Sequence, residues 1–292
     1  MLLGIDTGLW QTLREYFLLA FLLLSILIGY LAVSPRLATK IYRPKLFNPL
    51  PMQDDFAVPT INHVQGEEVE LTERDGTKIV LWFFQLPETR RIILFSHGNG
   101  GNMMTKMPLI EVLLRIGVSV LAYDYSGYGK SSGSPDPRKI CDNALTVYDY
   151  LVSTKGIKPQ EIILYGESLG AAVSAELATK HPVRALIIQS GFVSLKDIGR
   201  EKIPFLRFYP EWLFPQPSLN AGRLLRELKL PILILHGVND PVVPYHHGES
   251  LFQLASEPKQ FVSMPETGHS DFLVQQPELF CGAIKRFLAE LE

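Results

Sequence analysis

The fold of this chain is decided by residues 161–180, which read EIILYGESLGAAVSAELATK. The apolar run from Ile162 to Tyr165 predicts a strand that is buried on both faces. Gly166-Glu-Ser-Leu-Gly170 follows at once, and the small residues after it open a helix. A serine between such a strand and helix sits in a tight, strained turn with its hydroxyl exposed, so Ser168 is a candidate nucleophile.

The same alternation of strand and helix extends through most of the chain. Two segments around Asp75-Gly76 predict a β-hairpin, since this dipeptide favours a tight turn. Continuous apolar runs predict further buried strands at 91–96, 118–124, 184–190, 231–236 and 260–264. Helical patterns lie between them at 103–115, 137–153, 169–180, 221–227 and 245–255, with one more after Ser270. We therefore expect an α/β domain with a doubly wound, mostly parallel sheet and a ligand site beyond the carboxyl ends of its strands.

A serine nucleophile needs a base, and the base needs an acid that fixes its tautomer. In the expected chain order of serine, acid and histidine, Asp240 follows the strand 231–236 and His269 follows the last strand. His236 is expected to make a local hydrogen bond, and His246 and His247 to face solvent at the start of a helix. We expect Asp124 to act in a turn and Asp271 to cap the final helix.

An oxyanion-stabilising loop is predicted at His97-Gly-Asn-Gly-Gly-Asn102. Its glycines let the backbone approach a bound ester, so the amides of Asn99 and Leu169 are candidates for the oxyanion hole. Glycine patterns typical of dinucleotide or phosphate sites do not follow any predicted strand, which disfavours nucleotide chemistry.

Composition excludes other classes of protein. The chain has 292 residues, of which 47% are hydrophobic, and its formal net charge is -2, so we expect no nucleic-acid partner. Cys141 and Cys281 are far apart in predicted helices, where they are expected to be small buried hydrophobes. No Cys/His spacing typical of zinc occurs, and we expect neither a metal nor an organic cofactor.

The N-terminal part carries an apolar run from Phe17 to Val33 that predicts a membrane anchor within residues 1–34. A cleaved signal peptide and a buried core helix are the alternatives, but the preceding charges of Asp6, Arg14 and Glu15 do not form a positive n-region. Basic residues follow the run without an acid before Asp54, which predicts a cytoplasmic domain. Residues 35–65 are proline-rich and are expected to form a stalk in front of the main domain at 66–292.

Residues 191–220 are rich in aromatic residues and prolines. If this segment is a lid over the sheet edge, it favours an apolar acyl or alkyl group in the pocket. Packing of the aromatic residues onto the domain alone is an equally good interpretation.

Together these residues resemble the α/β-hydrolase superfamily, and within it the membrane-anchored α/β-hydrolase-domain proteins. The resemblance rests on His97 to Asn102 and on the Tyr-Asp-Tyr-x-Gly-Tyr-Gly-x-Ser pattern from Tyr123 to Ser131, and it extends over about residues 71–288. It implies a serine hydrolase with Ser168 as nucleophile, Asp240 as acid and His269 as base.

Three functions are compatible with this resemblance. The first is hydrolysis of small-molecule or lipid-like carboxylic esters through an acyl-enzyme. The second is an acyl-protein or acyl thioesterase, or a serine peptidase, although protein depalmitoylases of this type carry an N-terminal cysteine cluster and this chain has no cysteine before Cys141. A scaffold without catalytic activity is the third, because a fold alone does not imply function.

Overall fold

The fold is taken from a computed structural model that describes residues 7–53 and 55–291. Its main sheet has eight strands, β1 to β8 in chain order, arranged in space as β8-β7-β6-β5-β3-β4-β2-β1. Strands β3 to β8 are parallel, whereas β2 is antiparallel to both β1 and β4. The bounds are Glu67–Thr72, Lys78–Phe84, Ile92–Ser96, Ser119–Tyr123, Ile162–Glu167, Ala185–Gln189, Ile232–Gly237 and Lys259–Met264. The predicted doubly wound, mostly parallel sheet is confirmed.

Helices cover both faces of the sheet, which explains why its strands are continuous apolar runs. Along β5, Ile162 and Leu164 pack into one core, and Ile163 and Tyr165 pack into the other. The helices α1 to α10 are Thr7–Ala32, Thr39–Leu46, Met107–Ile116, Pro137–Asp149, Leu169–Lys180, Leu195–Lys202, Ala221–Glu227, His246–Leu254, Phe272–Gln275 and Pro277–Glu290. Residues of α4, α5, α7 and α8 contribute to the first core, and residues of α3 and α10 to the second.

The two cysteines lie in helices, as predicted, Cys141 in α4 and Cys281 in α10. Both are free thiols and are half-buried rather than fully buried. Burial raises the pKa of the Cys141 thiol to about 12, so this side chain stays protonated at neutral pH. It therefore does not supply a thiolate nucleophile.

Helix α1 contains the predicted membrane anchor, although the first six residues of the proposed unit 1–34, Asp6 among them, lie outside the described part of the chain. Residues Trp10–Ala32 are long and apolar enough to cross a bilayer, with a mean hydropathy of 2.1. The most apolar part of this helix is not buried against the rest of the chain. This exposure argues against a core helix, whereas an anchor and a signal sequence remain compatible with it.

The proline-rich segment after α1 packs against the main domain. It contains the short helix α2 in spite of Pro44, and Phe47 is buried in the first core. Asn48 and Pro49 then pair in parallel with Gly100 and Gly101 of the predicted oxyanion loop. This part of the predicted stalk is therefore joined to the domain at the edge that carries the candidate site.

Candidate active site

Ser168 lies at the carboxyl end of β5, immediately before α5, in the turn that the sequence predicts. Its φ of 53° and ψ of -113° are strained for a residue with a side chain. Two glycines make this turn possible, because a Cβ at Gly166 would lie 2.3 Å from the carbonyl oxygen of Gly170 and a Cβ at Gly170 would lie 2.0 Å from that of Ser96. The close packing explains why both flanking positions are glycine.

Asp240 and His269 are brought together by the loops after β7 and β8. Nδ1 of His269 lies 2.7 Å from Oδ2 of Asp240, while Oδ1 of Asp240 accepts hydrogen bonds of 2.8 Å from the N–H groups of Val242 and Val243. Burial alone would raise the pKa of Asp240, but these hydrogen bonds outweigh it and lower the pKa below its usual value. The carboxylate thus accepts the Nδ1–H of His269 and leaves Nε2 as the proton acceptor.

The serine and histidine loops both attach to the end of β6. The N–H of Ser168 donates to the carbonyl of Gln189 over 2.8 Å, and the next residue, Ser190, donates from its hydroxyl to the carbonyl of His269 over 2.8 Å. The histidine loop is held from its other side by Asp271, whose Oδ1 accepts the N–H of Gly268 over 2.7 Å. The cap predicted for Asp271 is only partly correct: Asp271 precedes the short helix α9, but its side chain makes no capping hydrogen bond because its carboxylate is used by the preceding loop, and the final helix α10 begins at Pro277.

Both predicted oxyanion residues, Asn99 and Leu169, line the same pocket as Ser168. Leu169 begins α5, and the first backbone N–H groups of a helix have no acceptor within it. Asn99 lies in the loop after β3, and its carbonyl accepts hydrogen bonds from the Tyr128 hydroxyl at 2.7 Å and from the Asn48 N–H at 3.0 Å. These bonds fix the position of the Asn99 carbonyl group.

A buried acid lies under this loop. Asp124 has no solvent exposure, and its Oδ1 accepts the N–H of Met103 over 2.7 Å and lies 3.4 Å from Nε2 of the equally buried His97. The turn role predicted for Asp124 is incomplete, since the carboxylate supports the oxyanion loop from below. This contact could not be predicted from local sequence, because Asp124 and Met103 are 21 residues apart.

Glu167, next to the candidate nucleophile, connects three loops of the site. Its Oε1 accepts hydrogen bonds from Nζ of Lys106, at 2.8 Å, and from the hydroxyl of Ser270, at 3.0 Å. Lys106 follows the oxyanion loop and Ser270 follows His269, so one buried carboxylate links both to the serine turn. Sequence reasoning missed this role, although the position of Glu167 inside the serine motif could have indicated it.

A pocket of about 680 Å³ opens over Ser168. It lies between the main domain, residues 35–47 after α1 and the segment 191–220, and most of its lining side chains are apolar. The principal ones are Tyr42, Leu46, Phe47, Leu169, Phe192, Leu195, Ile198, Ile203, Leu206, Phe214, Val242 and Val243. The segment 191–220 thus covers the pocket, and its remaining aromatic residues pack elsewhere or face outward.

The other histidines differ in their surroundings. His236 is buried, and its Nε2 donates to the carbonyl of Val243 over 2.9 Å, in line with the predicted local role. Burial lowers its pKa. The prediction that His247 faces solvent is wrong: it is buried under α6 and burial lowers its pKa as well, whereas His246 is exposed.

Glu201, His246 and His247 form a group whose ligand atoms all lie within 4.8 Å of one another. A metal would bind His247 through Nε2, which requires the hydrogen of the neutral ring on Nδ1. However, Nδ1 accepts the N–H of Val193 over 3.2 Å, so the hydrogen of the neutral ring lies on Nε2, which is 3.3 Å from Oε1 of Glu201. The group is better described as a polar cluster that joins α6 to α8, in which Nε2 of His246 lies within hydrogen-bond distance, 3.1 Å, of Oε1 of Glu201.

Several known proteins are similar to this chain. The family described as "Serine aminopeptidase, S33" matches residues 87–224. An uncharacterised Mycobacterium tuberculosis protein is 33% identical over 239 residues, which cover 80% of this chain and 83% of that protein. The Gallus gallus lysophosphatidylserine lipase ABHD12 is 32% identical over 200 residues, 62% of this chain and 52% of the lipase.

Among solved structures, a Pyrococcus furiosus esterase superposes with a TM-score of 0.69. The match covers 84% of this chain and 97% of the esterase at 21% identity, and it shows a common fold.

Proposed function

Because the chain belongs to the α/β-hydrolase superfamily and is a hydrolase, we propose that it cleaves carboxylic esters with an apolar acyl group through a Ser168-Asp240-His269 triad. The observation that carries this proposal is the 2.7 Å contact between His269 and Asp240, together with a strained serine whose turn is linked to the histidine loop through Gln189 and Ser190. This serine shares a large apolar pocket with both oxyanion candidates. Lipid-like esters suit this pocket, because an acyl chain is stabilised by burial against apolar side chains.

In the proposed reaction, Oγ of Ser168 attacks the ester carbonyl while Nε2 of His269 takes its proton. The N–H groups of Asn99 and Leu169 stabilise the negative oxygen of the tetrahedral intermediate. Collapse of the intermediate breaks the bond to the alcohol, which leaves with the proton from His269, and Ser168 keeps the acyl group. Water then attacks the acyl-enzyme with His269 again as base, and the acid is released.

Labelling with a fluorophosphonate probe tests the nucleophile. We expect an adduct on Ser168 by mass spectrometry in the unmodified chain and no adduct in Ser168→Ala. The matched control is Ser256→Ala, since Ser256 is remote from the pocket and its hydroxyl donates to the carbonyl of Arg226. If a correctly folded chain gave no adduct at Ser168, or equal labelling of Ser168→Ala, the proposal would be wrong.

A second candidate is cleavage of amides or thioesters by the same residues. The match to a family described as serine aminopeptidases favours an amide substrate, whereas the lipase named among the relatives favours lipid esters. Substrates with one acyl group and an alcohol, thiol or amine leaving group distinguish these readings. Turnover of the amide alone would exclude the esterase assignment, and turnover of the thioester alone would favour an acyl thioesterase.

The arrangement relative to the membrane follows from the N-terminal charges. We propose residues 1–34 as an anchor, 35–65 as a connecting segment and 66–292 as the catalytic domain with residues 191–220 as its lid. The cations Arg36, Lys40, Arg43 and Lys45 after the apolar run support a cytoplasmic domain. In sealed vesicles of known orientation, protease added outside should digest the domain only where the cytoplasmic face is outward, and protection there would refute this topology.

A further inference from the structure

The outer surface of the lid carries three large exposed aromatic side chains. Phe205, Phe208 and Trp212 are 46%, 78% and 59% exposed, and they lie on two short helical turns, Pro204–Phe208 and Glu211–Leu213. Single exposed apolar residues are ordinary, but a group of large aromatic residues on one short segment marks an interaction surface. We call these three residues the lid aromatic face.

The lid is attached directly to the end of α1. The ring of Tyr30 stacks on that of Tyr209 with centroids 4.6 Å apart, and the Tyr30 hydroxyl donates to the carbonyl of Phe208 over 2.6 Å. Arg36 adds two contacts, from its N–H to Leu213 O at 2.8 Å and from Nη1 to Trp212 O at 3.0 Å. These bonds fix the position of the lid aromatic face along the axis of the apolar helix α1.

Along this axis, the lid aromatic face lies near the C-terminal end of α1. Tyr30 precedes the last helical residue, Ala32, by two positions, which is about 3 Å along a helix axis. If α1 spans a bilayer, its end lies near the membrane surface, where aromatic side chains are enriched. The exposed cations Lys40 and Arg207 lie nearby in the chain and would face anionic headgroups at the same level.

The lid therefore has two faces with different surroundings. Leu206 and Phe214 are buried and line the pocket over Ser168, whereas Phe208 and Trp212 are mostly exposed. Phe205 is about half exposed, and its ring also contacts those of Tyr42 and Tyr209. We propose that the lid aromatic face inserts into the interface of the lipid bilayer that α1 crosses, on the side where α1 ends. The opening of the pocket then lies against this leaflet, and an acyl chain can pass from the bilayer into the pocket.

Tryptophan fluorescence tests the insertion without depending on catalysis. The chain has three tryptophans, of which Trp82 is fully buried in the domain, Trp10 lies at the start of α1 and Trp212 belongs to the lid aromatic face. Full-length variants are reconstituted in phosphatidylcholine and phosphatidylserine vesicles with or without brominated acyl chains, which quench tryptophan on contact. Trp10→Phe reports Trp212, Trp212→Phe reports Trp10, and the double variant gives the baseline from Trp82.

We expect brominated lipid to quench Trp212 in the Trp10→Phe chain well beyond the Trp82 baseline. Bromine near the headgroup end of the acyl chain should quench it more than bromine near the methyl end, and aqueous iodide should quench it less than in a denatured chain. Quenching of Trp10 but not Trp212, with Trp212 open to iodide, would overturn the proposal. Failure of lipid to quench Trp10 would also overturn it, because α1 would then not cross the bilayer. Neither result bears on the hydrolase assignment, which the fluorophosphonate probe tests separately.

Discussion

Replacing Asn102 with aspartate tests how the segment in front of the domain supports the oxyanion loop. Asn102 is fully buried, and its Nδ2 donates to the carbonyl of Leu50 over 3.1 Å while its Oδ1 accepts the N–H of Thr105 over 3.3 Å. Aspartate keeps the acceptor but turns an oxygen toward the Leu50 carbonyl. For a neutral group, the lost hydrogen bond and the unpaired buried oxygen together cost about 2–4 kcal/mol, and a buried carboxylate charge costs more. We therefore expect Asn102→Asp to lose at least about 2–4 kcal/mol of unfolding free energy.

The same change should reduce turnover, because Asn102 and Leu50 flank the pairing that holds Asn99 to Gly101 in place. One oxyanion donor contributes about 10²- to 10³-fold to kcat, which sets the upper limit of the loss. We expect kcat for an acyl ester to fall by at least roughly tenfold and by no more than this limit. KM should change little, since the donor acts in the transition state. Unfolding in urea, followed through buried Trp82, measures the stability of the same samples.

The matched control is Asn220→Asp. Asn220 also begins a helix and accepts an N–H, that of Arg223, over 2.9 Å, but its amide nitrogen makes no hydrogen bond within residues 7–53 and 55–291. Aspartate should therefore be tolerated there with a change below about 0.5 kcal/mol. If Asn102→Asp kept the kcat and stability of the unmodified chain, the reasoning that residues 48–52 support the oxyanion loop would be refuted.

Three further changes probe the histidine side of the site and its surroundings. Asp240→Asn should lower kcat by about 10⁴-fold, because an amide at this position donates to Nδ1 of His269 and shifts the hydrogen of the ring to Nε2. If Asp240→Asn hydrolysed the ester as fast as the unmodified chain, the proposed triad would be contradicted. Ser190→Ala removes the 2.8 Å bond to the carbonyl of His269 and should cost about 1 kcal/mol, or roughly fivefold in kcat, whereas an unchanged kcat would show that the loop is held by other contacts. Because burial lowers the pKa of His236 and His247, the unfolded chain binds more protons than the folded chain below about pH 6.5. The unfolding free energy should therefore be independent of these two histidines above that pH. Below it, the unfolding free energy should decrease by up to about 1.4 kcal/mol per pH unit for each histidine. His247→Asn should reduce this slope, and an unchanged slope would exclude His247 as a source.

The central elements of the fold could be predicted because local and tertiary signals agree there. Strand β5, the turn at Ser168 and α5 are encoded by one apolar run, two glycines and a helix-forming stretch, and each is buried as its pattern indicates. The pairing of Asn48 and Pro49 with Gly100 and Gly101 could not be predicted in this way. Two-residue strands carry no periodicity. The paired segments are also distant in the sequence, so only the folded domain brings them together.

The same distinction applies to the candidate site. Ser168, Asp240 and His269 are predicted as catalytic residues from chain order and from their positions after strands, which are local properties. The interpretations of Asp124, His247 and Asp271 failed or were incomplete because burial and hydrogen-bond partners decide their roles. His247 shows the reason: successive residues on a helix point about 100° apart, so His246 reaches solvent while its neighbour lies under α6, a helix far away in the sequence.

The connecting segment links the candidate membrane helix to the chemistry of the site. After α1 ends at Ala32, Arg36 bonds to the lid, residues of α2 line the pocket, and Asn48 bonds to the carbonyl of Asn99. Fewer than 20 residues thus contact, in order, the lid, the pocket and the oxyanion loop. Because each of these contacts is made by a different part of a short segment, the distance of the pocket from the end of α1 is set by packed structure. A flexible tether of that length would leave this distance free. The position of the pocket beside the end of the apolar helix is therefore a property of the folded domain itself, and the proposed hydrolysis of membrane-borne esters would use this geometry.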